Sequence, residues 1–195
     1  MYKKRDNVLE VLNLYRGNYK KGLYLGEINK LSGLNLKTTQ NALEFLENSG
    51  ILKSNIRGKN KYFYLNLNNI QTKLFLLQAE IYKTHLFLNK YPQFKIFLND
   101  LKDTFPLIVF GSFSKFKADK NSDIDLLVLS KNKPKLSLHF LSNKVHLLSF
   151  SEEDFVNSLN KSETLIDEIL ENHIILNDFS FFVNLVWEHY GRQRN

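Results

Sequence analysis

The residues from Leu107 to Leu129 constrain the fold more than any other stretch. Four apolar residues, Leu107, Ile108, Val109 and Phe110, stop at Gly111-Ser112. Ten mostly polar residues follow, and Asp123-Ile124-Asp125 then opens a second apolar run, Leu126 to Leu129. Short apolar runs bounded by turn residues predict two buried strands. Side chains alternate along a strand, so Asp123 and Asp125 share one face while Ile124, Leu126 and Val128 line the other. Carboxylates at that spacing repel each other, and a divalent cation with a preference for oxygen ligands, magnesium, relieves the repulsion. Gly111 lets a backbone approach a ligand closely, and Ser112 offers a hydroxyl and an amide to phosphate oxygens. A metal beside a phosphate cradle points to a nucleoside triphosphate, with ATP the expected one.

Gly111-Ser112 followed by Asp123-x-Asp125 and aliphatic residues resembles the nucleotidyltransferase superfamily of DNA polymerase beta, in spacing above all the minimal nucleotidyltransferases. The resemblance covers about residues 92 to 185. It implies a magnesium-dependent transfer of a nucleoside monophosphate to a protein or RNA hydroxyl. Asp123 and Asp125 would hold the metal, and Gly111, Ser112 and Lys115 the triphosphate. Phe116 departs from the small residue usual at its position. The superfamily places a third carboxylate on the strand corresponding to Val145–Leu148, and this chain offers His146 there. A neutral imidazole can accept a proton as general base, but it brings no negative charge and suits magnesium poorly. His146 is therefore either a catalytic base or a strand-surface residue.

Charge divides the chain. Residues 1–67 hold 12 Lys+Arg against 5 Asp+Glu, whereas residues 68–195 hold 15 of each. A basic module beside a neutral one points to a polyanion, nucleic acid first, or to a solvated charged face. Cysteine is absent, which excludes disulfides, zinc-thiolate sites and a thiol nucleophile. No apolar run approaches the roughly 18 residues of a membrane span. A soluble cytoplasmic protein is expected.

Within the basic third, Val8, Leu9, Val11, Leu12 and Leu14 predict a helix ended by Gly17-Asn18. A Tyr- and Lys-rich linker leads to a short helix, Glu27 to Leu31, closed by Ser32-Gly33. A third helix begins after Asn35 and stops at Ser49-Gly50. Ile51–Lys53 and Lys61–Leu65 then read as strands around a basic tip, residues 55–60. This segment resembles a winged helix-turn-helix DNA-binding domain of the kind common in prokaryotic transcription regulators. The resemblance implies that Lys37, Thr38, Thr39, Gln40 and Asn41 reach the major groove of double-stranded DNA and that Arg57, Lys59 and Lys61 meet phosphate or the minor groove. A three-helix module for protein contacts is the alternative.

Residues 68–91 predict a linker helix with an apolar stripe at Ile70, Leu74, Leu77, Ile81, Thr84 and Leu88, broadened by Phe75, Tyr82, Leu86 and Phe87. Such a stripe is buried between domains or against a second copy in a homodimer. A helix over Gln93–Lys102 follows. Lys131–Pro134 reads as a turn, Leu136–Phe140 as a half-buried strand, Val145–Leu148 as a strand, and Ser151 as a helix cap. A helix over Glu163–Glu171 capped by Ser162, a strand over Ile174–Leu176 and an amphipathic closing helix complete the chain. The expected class is α+β: a winged helix domain over 1–67, a linker helix over 68–91, and a mixed-sheet nucleotidyltransferase domain over 92–195. The function expected is a DNA-binding regulator carrying a domain that binds a nucleoside triphosphate and transfers its nucleotidyl group; the alternative is a domain that only senses nucleotide or dimerises.

Overall fold

The computed structural model describes residues 6–131, 134–161 and 163–192. Asn132 and Lys133 of the expected turn and Ser162, expected as a cap, lie outside them. The chain divides into two compact units, Met1–Ala79 with Tyr190–Asn195, and Glu80–His189.

In the first unit, α1 (Asn7–Leu12) starts where the Asp6 carboxylate accepts from the Val8 and Leu9 amides. It ends before the predicted Gly17, and the chain turns so that the Tyr15 hydroxyl donates to the Phe63 carbonyl at 3.1 Å. The expected linker contains a strand, β1 (Leu23–Tyr24). Next comes α2 (Leu25–Ser32), closed by Gly33 at φ 62°. Asn35 then caps α3 (Leu36–Asn48), accepting from Thr38 N at 2.8 Å. Antiparallel β2 (Leu52–Arg57) and β3 (Asn60–Leu65) complete a sheet of order β1-β3-β2. The hairpin is tighter than expected: Asn55, Ile56, Arg57 and Asn60 are paired strand residues, and only Gly58-Lys59 turns. Gly58, at φ 60°, makes so short a turn possible.

The helix α4 spans Ile70–Lys90. Its buried line is Thr72, Leu76, Ala79, Glu80, Thr84 and Phe87, whereas Ile70, Leu74 and Ile81 of the predicted stripe are exposed. Thr84 and Phe87 belong to both. The sequence pattern misleads because the buried face carries polar residues that find partners inside: Thr72 Oγ1 donates to Asn66 O at 2.8 Å and Thr84 Oγ1 to Ile175 O at 2.7 Å.

The second unit is α+β around a four-stranded mixed sheet of order β6-β5-β4-β7, with β4 (Leu107–Phe110), β5 (Ile124–Leu129), β6 (Val145–Phe150) and β7 (Ile174–Asn177). β4 is antiparallel to β5 and β7, and β5 is parallel to β6. One sheet face, with Leu107, Val109, Ile124, Leu126, Val128 and Ile174, packs with Phe87, Phe94, Phe97 and Phe113. Phe94 and Phe97 come from α5 (Gln93–Asn99), which ends before the expected Lys102. Alternation puts Ile108, Phe110, Leu127 and Leu129 on the other face, where they are also buried. Burial on both faces explains why these strands read as continuous apolar runs.

The half-buried strand expected at Leu136–Phe140 is instead irregular chain ending in a 3-10 turn over Leu138–Phe140. Its alternating pattern pairs with no strand of the sheet. Ser151 caps α7 (Glu152–Asn160), accepting from Asp154 N at 3.0 Å. The unit continues with α8 (Thr164–Glu171) and, after β7, α9 (Phe179–Arg192). Among the described residues no helix is long and apolar enough to cross a membrane.

Candidate active site

At the end of β4 the chain turns directly into a one-turn helix, α6 (Gly111–Ser114), through Gly111 at φ 70°. A Cβ built on Gly111 would lie 2.2 Å from Asp125 Oδ2. The missing side chain is thus the space the Asp125 carboxylate occupies, with Phe110 and Asp125 paired across β4 and β5. The turn is anchored by Ser114, whose hydroxyl lies 2.9 Å from Gly111 O and 2.8 Å from Asn172 O. The first amides of a helix have no intrahelical acceptor, so α6 begins with donors beside the carboxylate. Phe116, which departs from the usual small residue, takes a left-handed conformation at φ 58°.

The parallel register of β5 and β6 sets His146 beside Asp125. Its Nδ1 is 3.5 Å from Asp125 Oδ1 and its Nε2 3.6 Å from Asp123 Oδ2, so the ring spans both carboxylates. The side chains of Asp123, Asp125 and His146 are 41%, 28% and 49% exposed, which leaves the group open to a solute. Burial pushes the Asp125 carboxyl above its ordinary range; His146 opposes this, while Asp123 and Glu168 add repulsion.

Glu168, on α8, is the component that sequence reasoning missed. Its Oε1 accepts from Lys115 Nζ at 2.8 Å. Lys115 therefore stands at the turn as expected, but paired to a carboxylate. α8 buries Ile166, Ile169 and Leu170, so its amphipathic pattern places Glu168 on the polar side. Nothing in that pattern says that the polar side meets Lys115.

Among the described residues no three acidic, histidine or cysteine side chains gather into a metal site. Magnesium seldom needs one: it binds one or two carboxylates together with waters and substrate phosphates. Two partly exposed carboxylates beside a bare glycine turn fit a cation that arrives with its nucleotide.

In the first unit, Lys37, Gln40 and Asn41 of α3 are exposed and Thr38 is half-buried. Thr39 is a correction. It is fully buried, with its hydroxyl donating to Asn35 O at 3.0 Å, because it faces the helical core with Ala42, Leu43 and Leu46. Arg57 and Lys59 are exposed at the hairpin end. Lys61 is held by Glu47 at 2.7 Å, which offsets its charge.

Residues 93–180 match the family model described as Polymerase beta, Nucleotidyltransferase. That span, just under half of the chain, takes in all four strands of the second unit, the Gly111 turn, both aspartates, His146 and Glu168, so the family match falls on the mixed sheet and its candidate site. No curated protein and no solved structure matches the chain.

Proposed function

We propose that the second unit transfers a nucleotidyl group from a nucleoside triphosphate, ATP first, to a hydroxyl of a protein or RNA, and that the first unit is a winged helix binding double-stranded DNA in transcription regulation. The observation that carries the transferase reading is the Asp125 carboxylate lying where a Gly111 side chain would stand. Asp123 and Asp125 would hold magnesium, which when bound supplies charge neutralisation between carboxylates and phosphates. Ser112 and the first amides of α6 bind phosphate oxygens. Lys115 leaves Glu168 for the triphosphate. The acceptor oxygen bonds to the α-phosphorus as the bond to pyrophosphate breaks, and neutral His146 takes the acceptor's proton.

The DNA reading rests on two helices joined through Gly33, on exposed Lys37, Gln40 and Asn41 on the second of them, and on Arg57 and Lys59 at a hairpin. A cytoplasmic homodimer suits it, with exposed Ile70 and Leu74 of α4 as the face for a second copy.

His146 also favours a second reading. A ring spanning the two aspartates occupies the place a cation would take, and the domain then senses nucleotide without turnover. Radiolabelled ATP with magnesium separates the two: label moved to protein or RNA by the wild type, and lost in D123N/D125N, supports transfer. Nucleotide binding without transfer supports sensing, and the absence of both overturns the assignment. A gel shift with random duplex at low salt tests the DNA part, and no retention would overturn it.

A further inference from the structure

The outer face of the first unit's sheet carries a tyrosine-rich surface that, apart from Arg57 at its hairpin end, neither function uses. Strand alternation sends Leu52, Phe63 and Leu65 inward, where they are buried. The opposite face presents Lys53, Asn55 and Arg57 from β2 and Tyr62 and Tyr64 from β3, with Lys53 beside Tyr64 and Asn55 beside Tyr62. Tyr24 of β1 pairs with Tyr62, their ring centroids 5.7 Å apart and edge to face. The three tyrosines are half-exposed, and Lys53 and Arg57 are exposed. No strand of this sheet contains an acidic residue.

Beside Tyr64 the face opens into a cleft of about 470 Å³, lined by Tyr19, Lys20, Lys53, Tyr64, Leu67 and Asn68 among others. The Arg57 guanidinium lies 5.5 Å from the Tyr64 ring centroid. Tyr64 is seated against Gly22, where a Cβ would fall 2.2 Å from its ring.

We propose that this face binds an unpaired nucleic-acid strand, bases against Tyr62 and Tyr64 and phosphates against Lys20, Lys53 and Arg57. Aromatic rings with interleaved cations on a sheet are the chemistry that single strands use, because an unpaired base offers a π-face that a duplex keeps stacked. Tyr62 and Tyr64 lie two residues apart on one face, about 7 Å along the strand, which gives each of two splayed bases its own ring. The cations complement phosphate. The site shares Arg57 with the duplex reading but none of the exposed Lys37, Gln40 and Asn41 of α3, and it does not depend on the transferase reading.

The test uses the full chain and fluorescence anisotropy with labelled 12-nucleotide oligo(dT) and oligo(U) at low salt. Wild type is expected to bind at least one of them, and Y62A to weaken that binding about 5- to 150-fold, the loss of one stacked base. K53E, on an exposed side chain, is expected to weaken it with an unchanged melting temperature, which guards against misfolding of the tyrosine variant. K37A/Q40A is expected to leave it unaltered. Binding that neither Y62A nor K53E changes, displacement by poly-glutamate as effective as by unlabelled oligonucleotide, or no binding of either strand would each overturn the proposal.

Discussion

The Cα of Gly111 and the carboxylate of Asp125 occupy adjoining space so tightly that a Cβ would stand 2.2 Å from Asp125 Oδ2. G111A combines that overlap with a left-handed backbone, φ 70°, which alanine tolerates poorly. The expected cost is on the order of 1–3 kcal/mol, read by chemical denaturation. Nucleotide binding should fall by far more than stability, because Asp125 is the group displaced. Unchanged nucleotide affinity in a folded G111A would place the ligand elsewhere.

Asp125 has a raised pKa, chiefly from burial. The folded state therefore holds this proton more tightly than the unfolded one, and its stabilising effect is present at acid pH and lost as pH rises through the raised value. D125N is accordingly expected to melt at a higher temperature than wild type near neutrality, with the difference shrinking in acid. Magnesium-dependent nucleotide affinity of the wild type should run the other way, falling as Asp125 is protonated at a pH above that of an ordinary aspartate. Melting curves and calorimetric titrations across pH measure both.

Lys115 and Glu168 form a half-exposed ion pair, so E168Q should change stability by no more than about 1 kcal/mol. It frees Lys115 for phosphate and removes one repulsion acting on Asp125. Tighter nucleotide binding in E168Q and weaker binding in K115A are expected by isothermal titration. Equal affinities in both variants would remove Lys115 from the triphosphate site.

A buried pair fixes the second unit elsewhere. His173 Nε2 lies 3.0 Å from Glu80 Oε1, both side chains almost wholly buried, and His173 Nδ1 lies 2.8 Å from Leu170 O at the end of α8. Removing one partner, as in H173A, strands the other and should cost about 3–5 kcal/mol in urea unfolding. A loss below about 1 kcal/mol would show that the two are not coupled.

For duplex DNA, K37A is expected to weaken binding evenly across sequences and lower the salt slope by about one, whereas Q40A should act selectively on sequence. T39V tests the packing of α3: Thr39 faces the core, so stability should fall while DNA contacts stay. Stability follows from melting curves and binding from anisotropy at several salt concentrations.

Much of the molecule was legible in the linear order of residues. β4, β5, β7 and the Gly111 turn announce themselves because apolar runs, glycine and alternation act locally, and Asp123 and Asp125 need only period two to share a face. The caps at Asn35 and Ser151 and the stop at Gly33 are equally local. What the order of residues could not supply is pairing across distance. The polar buried line of α4 exists because Thr72 and Thr84 meet distant carbonyls, which no hydropathy pattern records. Lys61 is quenched by Glu47, and Lys115 by Glu168, through contacts that only folding creates. Composition and local spacing determined which side chains could bind phosphate or metal, since those are properties of residue type. Register and packing decided which carboxylate sits in the space of the missing Cβ, because that depends on where β4, β5, β6 and α8 come together.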